Sequence, residues 1–253
     1  MTRRIRTFRA AFAAIGWSLA AGVALAQTPM ASAQMEPATW PAGTWAGWKS
    51  AFLKPEGRIV DNANGDISHS EGQGYGMLLA VLADDPATFE RIYGWTRREL
   101  MVRPDGLAAW KWEPDKTPNV TDRNNASDGE LLIAWALVEA AERWNKPDYL
   151  NDAARLATDL DRAVGIRSGL GRVFLPGVDG FSAAHREKEA DGPVVNPSYW
   201  VFPAIDRLGR AAPRVDWDGY RASGYTLLRM AKFGSAGLPT EWVSIKGGQA
   251  TPA

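Results

Sequence analysis

An all-α fold in one domain is predicted for this chain by three features. Apolar residues recur at three- and four-residue spacing through seven segments, helix punctuation brackets several of them, and the two-residue alternation that marks strands is scarce. With 45% hydrophobic residues among 253, including 12 Trp, the chain can bury a sizeable core. Its 29 basic and 29 acidic residues balance, and no basic block beyond the first few residues offers an electrostatic footprint for nucleic acid. The absence of Cys excludes a disulfide scaffold and any cysteine zinc site. Two histidines, His69 and His185, are too few for a His-rich metal cluster.

The first 26 residues read as a secretory signal peptide. Arg3, Arg4, Arg6 and Arg9 form a positive start, residues 10–21 are apolar, and Ala24-Leu25-Ala26 is a small-x-small cleavage site before Gln27. Ala31-Ser32-Ala33 is a competing site, and an uncleaved anchor is the alternative reading. Export without cysteine points to a bacterial periplasm or exterior, where packing alone must stabilise the fold. Residues 27–40, rich in Ala, Pro, Ser and Gln at their start, form a low-complexity segment, and the domain proper spans 41–253.

Within it, helices are expected over 45–54, 70–83, 86–101, 128–145, 147–164, 198–210 and 216–233. Asp85-Pro86 sets an N-cap before a first-turn proline, and Ser127 with Glu130 has capping-box spacing ahead of Leu131, Leu132 and Ile133. Trp- and Gly-rich loops connect the helices. Residues 171–185, with Arg172-Val173-Phe174-Leu175 and a Pro-Gly turn, are expected to form a small β-hairpin.

Two carboxylates occupy unusual settings. Glu71 lies in Ser70-Glu71-Gly72-Gln73-Gly74-Tyr75-Gly76-Met77, where three alternating glycines cost the helix roughly 3 kcal/mol of propensity. Gly72 and Gly76 share a face on which a backbone or a substrate can approach closely, while the structural alternative is a Ser68–Glu71 capping box with glycines for helix packing. Asp128 falls in the first turn of the next long helix, where the dipole should keep it ionised near neutral pH; the structural alternative is a favourable first-turn acid and nothing more. Glu71 needs the opposite shift, from apolar neighbours or a nearby negative charge, to donate a proton. A protonated acid paired with an ionised carboxylate is what glycoside hydrolysis requires. Trp110 and Trp112 in a turn-rich stretch, with Tyr199 and Trp200 at a helix start, supply rings on which a sugar can stack. Trp135 and Trp144, at helical spacing, read as core.

Taken in order, Ser70-Glu71-Gly72-Gln73-Gly74-Tyr75-Gly76-Met77, Ala109-Trp110-Lys111-Trp112, Ala126-Ser127-Asp128-Gly129-Glu130-Leu131-Leu132-Ile133-Ala134 and Asn196-Pro197-Ser198-Tyr199 resemble glycoside hydrolase family 8. The likeness extends from about Trp45 to Trp242 and is nearest the periplasmic endoglucanases associated with bacterial cellulose synthesis. It departs at Glu130, where the family commonly has Asp. The resemblance implies an (α/α)6 barrel, of which about seven of the twelve helices are read here. It further implies an open cleft and hydrolysis of β-1,4-glucan (cellulose or cello-oligosaccharides) with inversion. Glu71 matches the proton donor, Asp128 the acid that contacts the sugar at the cleavage point, and Trp110 and Tyr199 the sugar-contacting rings. No cofactor or metal is implied, and a functional association with a cellulose synthase system is. The family's base lies on a Tyr-Asp helix start beyond the stretch matching Gly237 to Val243, so the chain is expected to be C-terminally shortened and its catalytic domain incomplete. A catalytically silent glucan-binding protein is the alternative.

Overall fold

α4, Ser127–Trp144, is buried on every side for most of its length, and three other helices pack against it. A helix apolar all round cannot face water, so the run Leu131-Leu132-Ile133-Ala134 dictates an interior position. The computed structural model describes residues 34–181 and 192–253. The expected signal peptide, residues 27–33 and His185 lie outside the described residues.

Seven α-helices are present among the described residues: α1 Thr44–Phe52, α2 Ser70–Leu82, α3 Pro86–Glu99, α4, α5 Pro147–Val164, α6 Phe202–Leu208 and α7 Trp217–Met230. α2 packs along α4, α3 covers α2, α5 covers α4, and α6 and α7 follow on. The covering helices are one-sided. In α5 the buried residues Ala153, Leu156, Ala157, Leu160 and Val164 form a single stripe at three- and four-residue spacing. Each fully buried Leu or Phe in this core contributes about 1.5–3 kcal/mol over its exposed state. No helix among the described residues is long and apolar enough to cross a membrane.

Punctuation explains most helix ends. Asp85 caps α3 by accepting the Thr88 N–H at 3.0 Å, and Pro86 opens the helix as expected. The same carboxylate takes Lys49 Nζ at 2.9 Å and Trp45 Nε1 at 3.0 Å, fastening α1 to α3. Asn145, at φ 51°, ends α4 in the left-handed region, and Pro147 starts α5 at once. Asp216 caps α7 through the Gly219 N–H at 2.9 Å.

Two expectations need correction. The helix expected over 198–210 is broken: Pro197–Tyr199 is one 3-10 turn, and α6 begins only at Phe202. Pro203 has no N–H to give the Tyr199 carbonyl, so a continuous helix cannot pass this point. The hairpin lies upstream of its expected range, with β3 Gly165–Ser168 paired antiparallel to β4 Gly171–Phe174. Its first strand follows directly on α5, and a two-residue turn leads into Gly171 at φ 104°. Two short sheets were not foreseen: β1 Ser68–His69 with β2 Lys111–Trp112, and β6 Val243–Ser244 between β5 Val194–Val195 and β7 Thr251–Pro252. Two-residue strands carry no periodicity to detect.

Polar groups also cross the core. Glu139, 1% exposed in its side chain, accepts from Arg207 of α6, from Trp135 Nε1 at 2.9 Å and from the Met35 N–H at 3.0 Å. Arg207 reaches Glu142 as well, so α4 and α6 are joined by paired charges rather than by apolar contact alone.

Candidate active site

Glu71 and Asp128 are the second residues of α2 and α4. These helix starts press together where Gly129 meets Ser70. A Cβ on Gly129 would stand 2.1 Å from Ser70 Oγ and 3.0 Å from the Glu71 amide nitrogen, so only glycine fits. One turn further on, a Cβ on Gly74 would stand 2.6 Å from Leu132 Cβ. The expected close-approach face is therefore corrected: Gly74 meets α4, whereas Gly76 faces Ile59 and Gly72 faces the His69 imidazole.

Neither expected capping box forms. His69 caps α2, its Nδ1 accepting the Gly72 N–H at 3.0 Å, because pairing with Trp112 turns Ser68 inward to donate to the Ile59 carbonyl. For α4 the N-cap is Ala126, Ser127 is already helical with its N–H on the Pro176 carbonyl at 2.8 Å, and Glu130 points into the core.

The electrostatics differ from expectation too. Asp128 is 7% exposed, and burial, reinforced by the charge of Glu71, pushes its carboxyl up to about 7 against the hydrogen bond from the Gly129 N–H. Desolvation outweighs the first-turn dipole, so Asp128 is only partly ionised near neutral pH rather than held fully ionised as expected. Glu71 is not enclosed by apolar groups: its side chain is 42% exposed, with His69 Nδ1 at 3.9 Å. Behind the pair, burial pushes Glu130 up to about 8, opposed by hydrogen bonds from Asn125 and the Ala108 N–H.

The rings gather around these acids. Trp110 is held on both sides, its carbonyl accepting the Ser70 N–H at 3.0 Å and its own N–H donating to the Asn124 carbonyl at 2.8 Å, while Nε1 donates to Asp122 at 2.8 Å. Tyr199 ends the 3-10 turn and meets Trp242 edge-on at 6.4 Å. Its phenol is held well above the usual range by partial burial and by the charges of Asp128, Glu71, Glu241 and Glu130, which ties Tyr199 to the same cluster. Trp112, by contrast, is structural: it lies edge-on to Trp95 at 5.6 Å and beneath the Arg58 guanidinium at 4.8 Å. Trp135 and Trp144 pack and hydrogen-bond within the fold, as their spacing indicated.

Three neighbours escaped the sequence reading. Tyr75 is 50% exposed, and its phenol is raised by partial burial and by the charges of Glu71 and Asp128. Its place four residues after Glu71 on one helix face was the signal available. Glu241 and Trp242 arrive from the far end of the chain, in the stretch Gly237 to Val243 whose likeness to the family gave them no site role. Beside Tyr75 an open cavity of about 240 Å³ is lined by Trp48, Phe52, Ile59, His69 and Leu79 among others. Among the described residues no cluster of His, Asp and Glu is arranged to hold a metal ion.

Two carboxyls at adjacent helix starts, one changing charge near neutral pH, with flanking rings, form a site able to exchange protons beside a stacked sugar. The family model for glycosyl hydrolases family 8 matches residues 17–252. The chain belongs to that family. This family 8 chain is 34% identical to an endoglucanase of Cellulomonas uda over 86% of its own length and 59% of the relative's. It is 37% identical to a probable endoglucanase of Novacetimonas hansenii, over 81% of its length and 58% of the relative's. It spans less than two thirds of either. Among solved structures, a family 8 endo-β-1,4-glucanase from an Achatina fulica gut metagenomic library superposes with a TM-score of 0.79 at 35% identity, covering 86% of this chain and 67% of that one.

Proposed function

We propose that this chain is an exported endo-β-1,4-glucanase of family 8 that cleaves β-1,4-glucan with inversion, with Glu71 as proton donor. The observation that carries the reading is the meeting of Glu71 and Asp128 at the Ser70–Gly129 crossing, flanked by Trp110 and Tyr199. The likeness to endoglucanases over most of the chain supports the substrate class. In this mechanism a sugar ring over Glu71 removes the water that now reaches it. Glu71 then gives its proton to the glycosidic oxygen as the bond to the leaving sugar breaks. Asp128 contacts the sugar at the cleavage point, and Trp110 and Tyr199 stack or hydrogen-bond the neighbouring rings.

The seven helices are read as part of an (α/α)6 barrel, and residues 41–253 as catalytic domain. Residues 1–26 serve as a signal peptide directing the chain to the periplasm, with 27–40 as a low-complexity N-terminal segment. There it acts on cellulose or cello-oligosaccharides in functional association with a cellulose synthase system.

The test is reducing-end release from carboxymethyl cellulose by residues 27–253, with Glu71→Gln as control. Release that depends on Glu71 is expected, and would make Asp128 the first candidate for the base that activates water. Cellohexaose binding without release would instead identify a glucan-binding protein, and neither binding nor release would overturn the reading.

A further inference from the structure

Glu130 has no surface exposure, yet its carboxyl is fully engaged. Oε1 accepts the Ala108 N–H at 3.0 Å, and Oε2 accepts Nδ2 of Asn125 at 3.0 Å. Asn125 in turn accepts the Val178 N–H through Oδ1 at 2.8 Å. A single carboxyl therefore joins the start of α4 to two loop segments, around Ala108 and Asn125, and through Asn125 to a third, around Val178. The first of these runs two residues on into Trp110, whose N–H is held by Asn124 and whose carbonyl holds Ser70 beside Glu71.

We propose that Glu130 is a positioning residue: by bridging Ala108 and Asn125 it sets the Trp110 ring in register with Asp128 and Glu71. The substrate side of this proposal rests on the glucanase reading, whereas the placement of the ring does not. The geometry demands an acceptor at both ends. An ionised or a neutral carboxyl keeps a lone pair toward each donor, but an amide must turn its NH2 toward either the Ala108 N–H or the Asn125 amide. Asn125 cannot reverse to help, because its oxygen is committed to Val178. A donor facing a donor at this fully buried position leaves both unpaired, and the loop must move to relieve them. Asp keeps the two acceptors on a stem one carbon shorter and cannot span both contacts undistorted.

The test uses the full chain labelled with 5-fluorotryptophan. The fluorine resonance missing from Trp110→Phe identifies Trp110, and those missing from Trp135→Phe and Trp144→Phe serve as internal references. In Glu130→Gln the Trp110 resonance is expected to shift while the reference resonances stay put, and cellohexaose affinity to fall tenfold or more. Adding Trp110→Ala to Glu130→Gln should then weaken affinity less than it does alone, because the ring is already misplaced. Glu130→Asp should show the same changes at smaller size, and decides the matter if the Gln variant does not fold. An unmoved Trp110 resonance overturns the proposal, as does a moved one with unaltered affinity in a chain that binds cellohexaose. A wild-type chain that neither binds nor cleaves glucan would sink the glucanase reading alone, and the resonance would still decide the placement.

Discussion

Gly129 lies so close to Ser70 that a single added carbon would fall 2.1 Å from its hydroxyl oxygen. This contact brings the starts of α2 and α4 together, and with them Glu71 and Asp128. Gly129→Ala should therefore push the two helix starts apart, costing about 1–3 kcal/mol by overpacking. Gly74→Ala, against Leu132 Cβ, should cost a similar amount. Gly72→Ala meets only the His69 ring at 3.3 Å and gains helix propensity, so it should stay within about 1 kcal/mol of the wild type. Denaturant midpoints of the three variants check the order, and equal losses at all three would contradict the packing described here.

Asp128 should make the protein less stable as pH rises toward neutrality. Its carboxyl sits near 7 in the folded chain against an ordinary value of 3.8, so between those values the folded state holds a proton that the unfolded state has lost. Stability falls across that window at up to about 1.4 kcal/mol per pH unit, and is fully present only below the ordinary value. Glu130, pushed up to about 8, adds a fall of the same sign. Urea unfolding from pH 4 to 7 should show a shallower decline in Asp128→Asn, and identical slopes would remove Asp128 as a source.

Removing Glu71 tests both chemistry and coupling. Glu71→Gln should lower turnover on glucan by about two to four orders of magnitude, the usual scale for loss of a general acid. It should also lower the Asp128 titration midpoint, since the Glu71 charge is one cause of its elevation. Burial is the larger cause, so the midpoint should remain well above 3.8. Carboxyl carbon NMR of Asp128 follows this directly, and an unchanged midpoint would show that the two acids do not interact.

The paired charges between α4 and α6 should matter more when half-removed than when fully replaced. Arg207→Met leaves Glu139 buried with Trp135 and Met35 as its donors, and should cost about 3–5 kcal/mol. Replacing Glu139 by Met as well should recover much of that loss, because no uncompensated charge then remains in the core. Thermal unfolding of the single and double variants decides it.

Local chemistry made most of the helices legible. Asp85-Pro86, the all-apolar face run of α4 and the stripe of α5 act within a few residues of themselves, so periodicity and caps report them faithfully. Glu71 and Asp128 stood out as candidates by the same means, because each sits in a helix start with odd composition. What periodicity could not report was anything set by two distant segments. Which glycine meets α4, that His69 rather than Ser68 caps α2, and that Glu130 turns inward to Ala108 all depend on neighbours brought in by the packed fold. The charge state of Asp128 belongs with these: the helix dipole is local and visible in sequence, whereas the desolvation that overrides it exists only once α2 closes over α4.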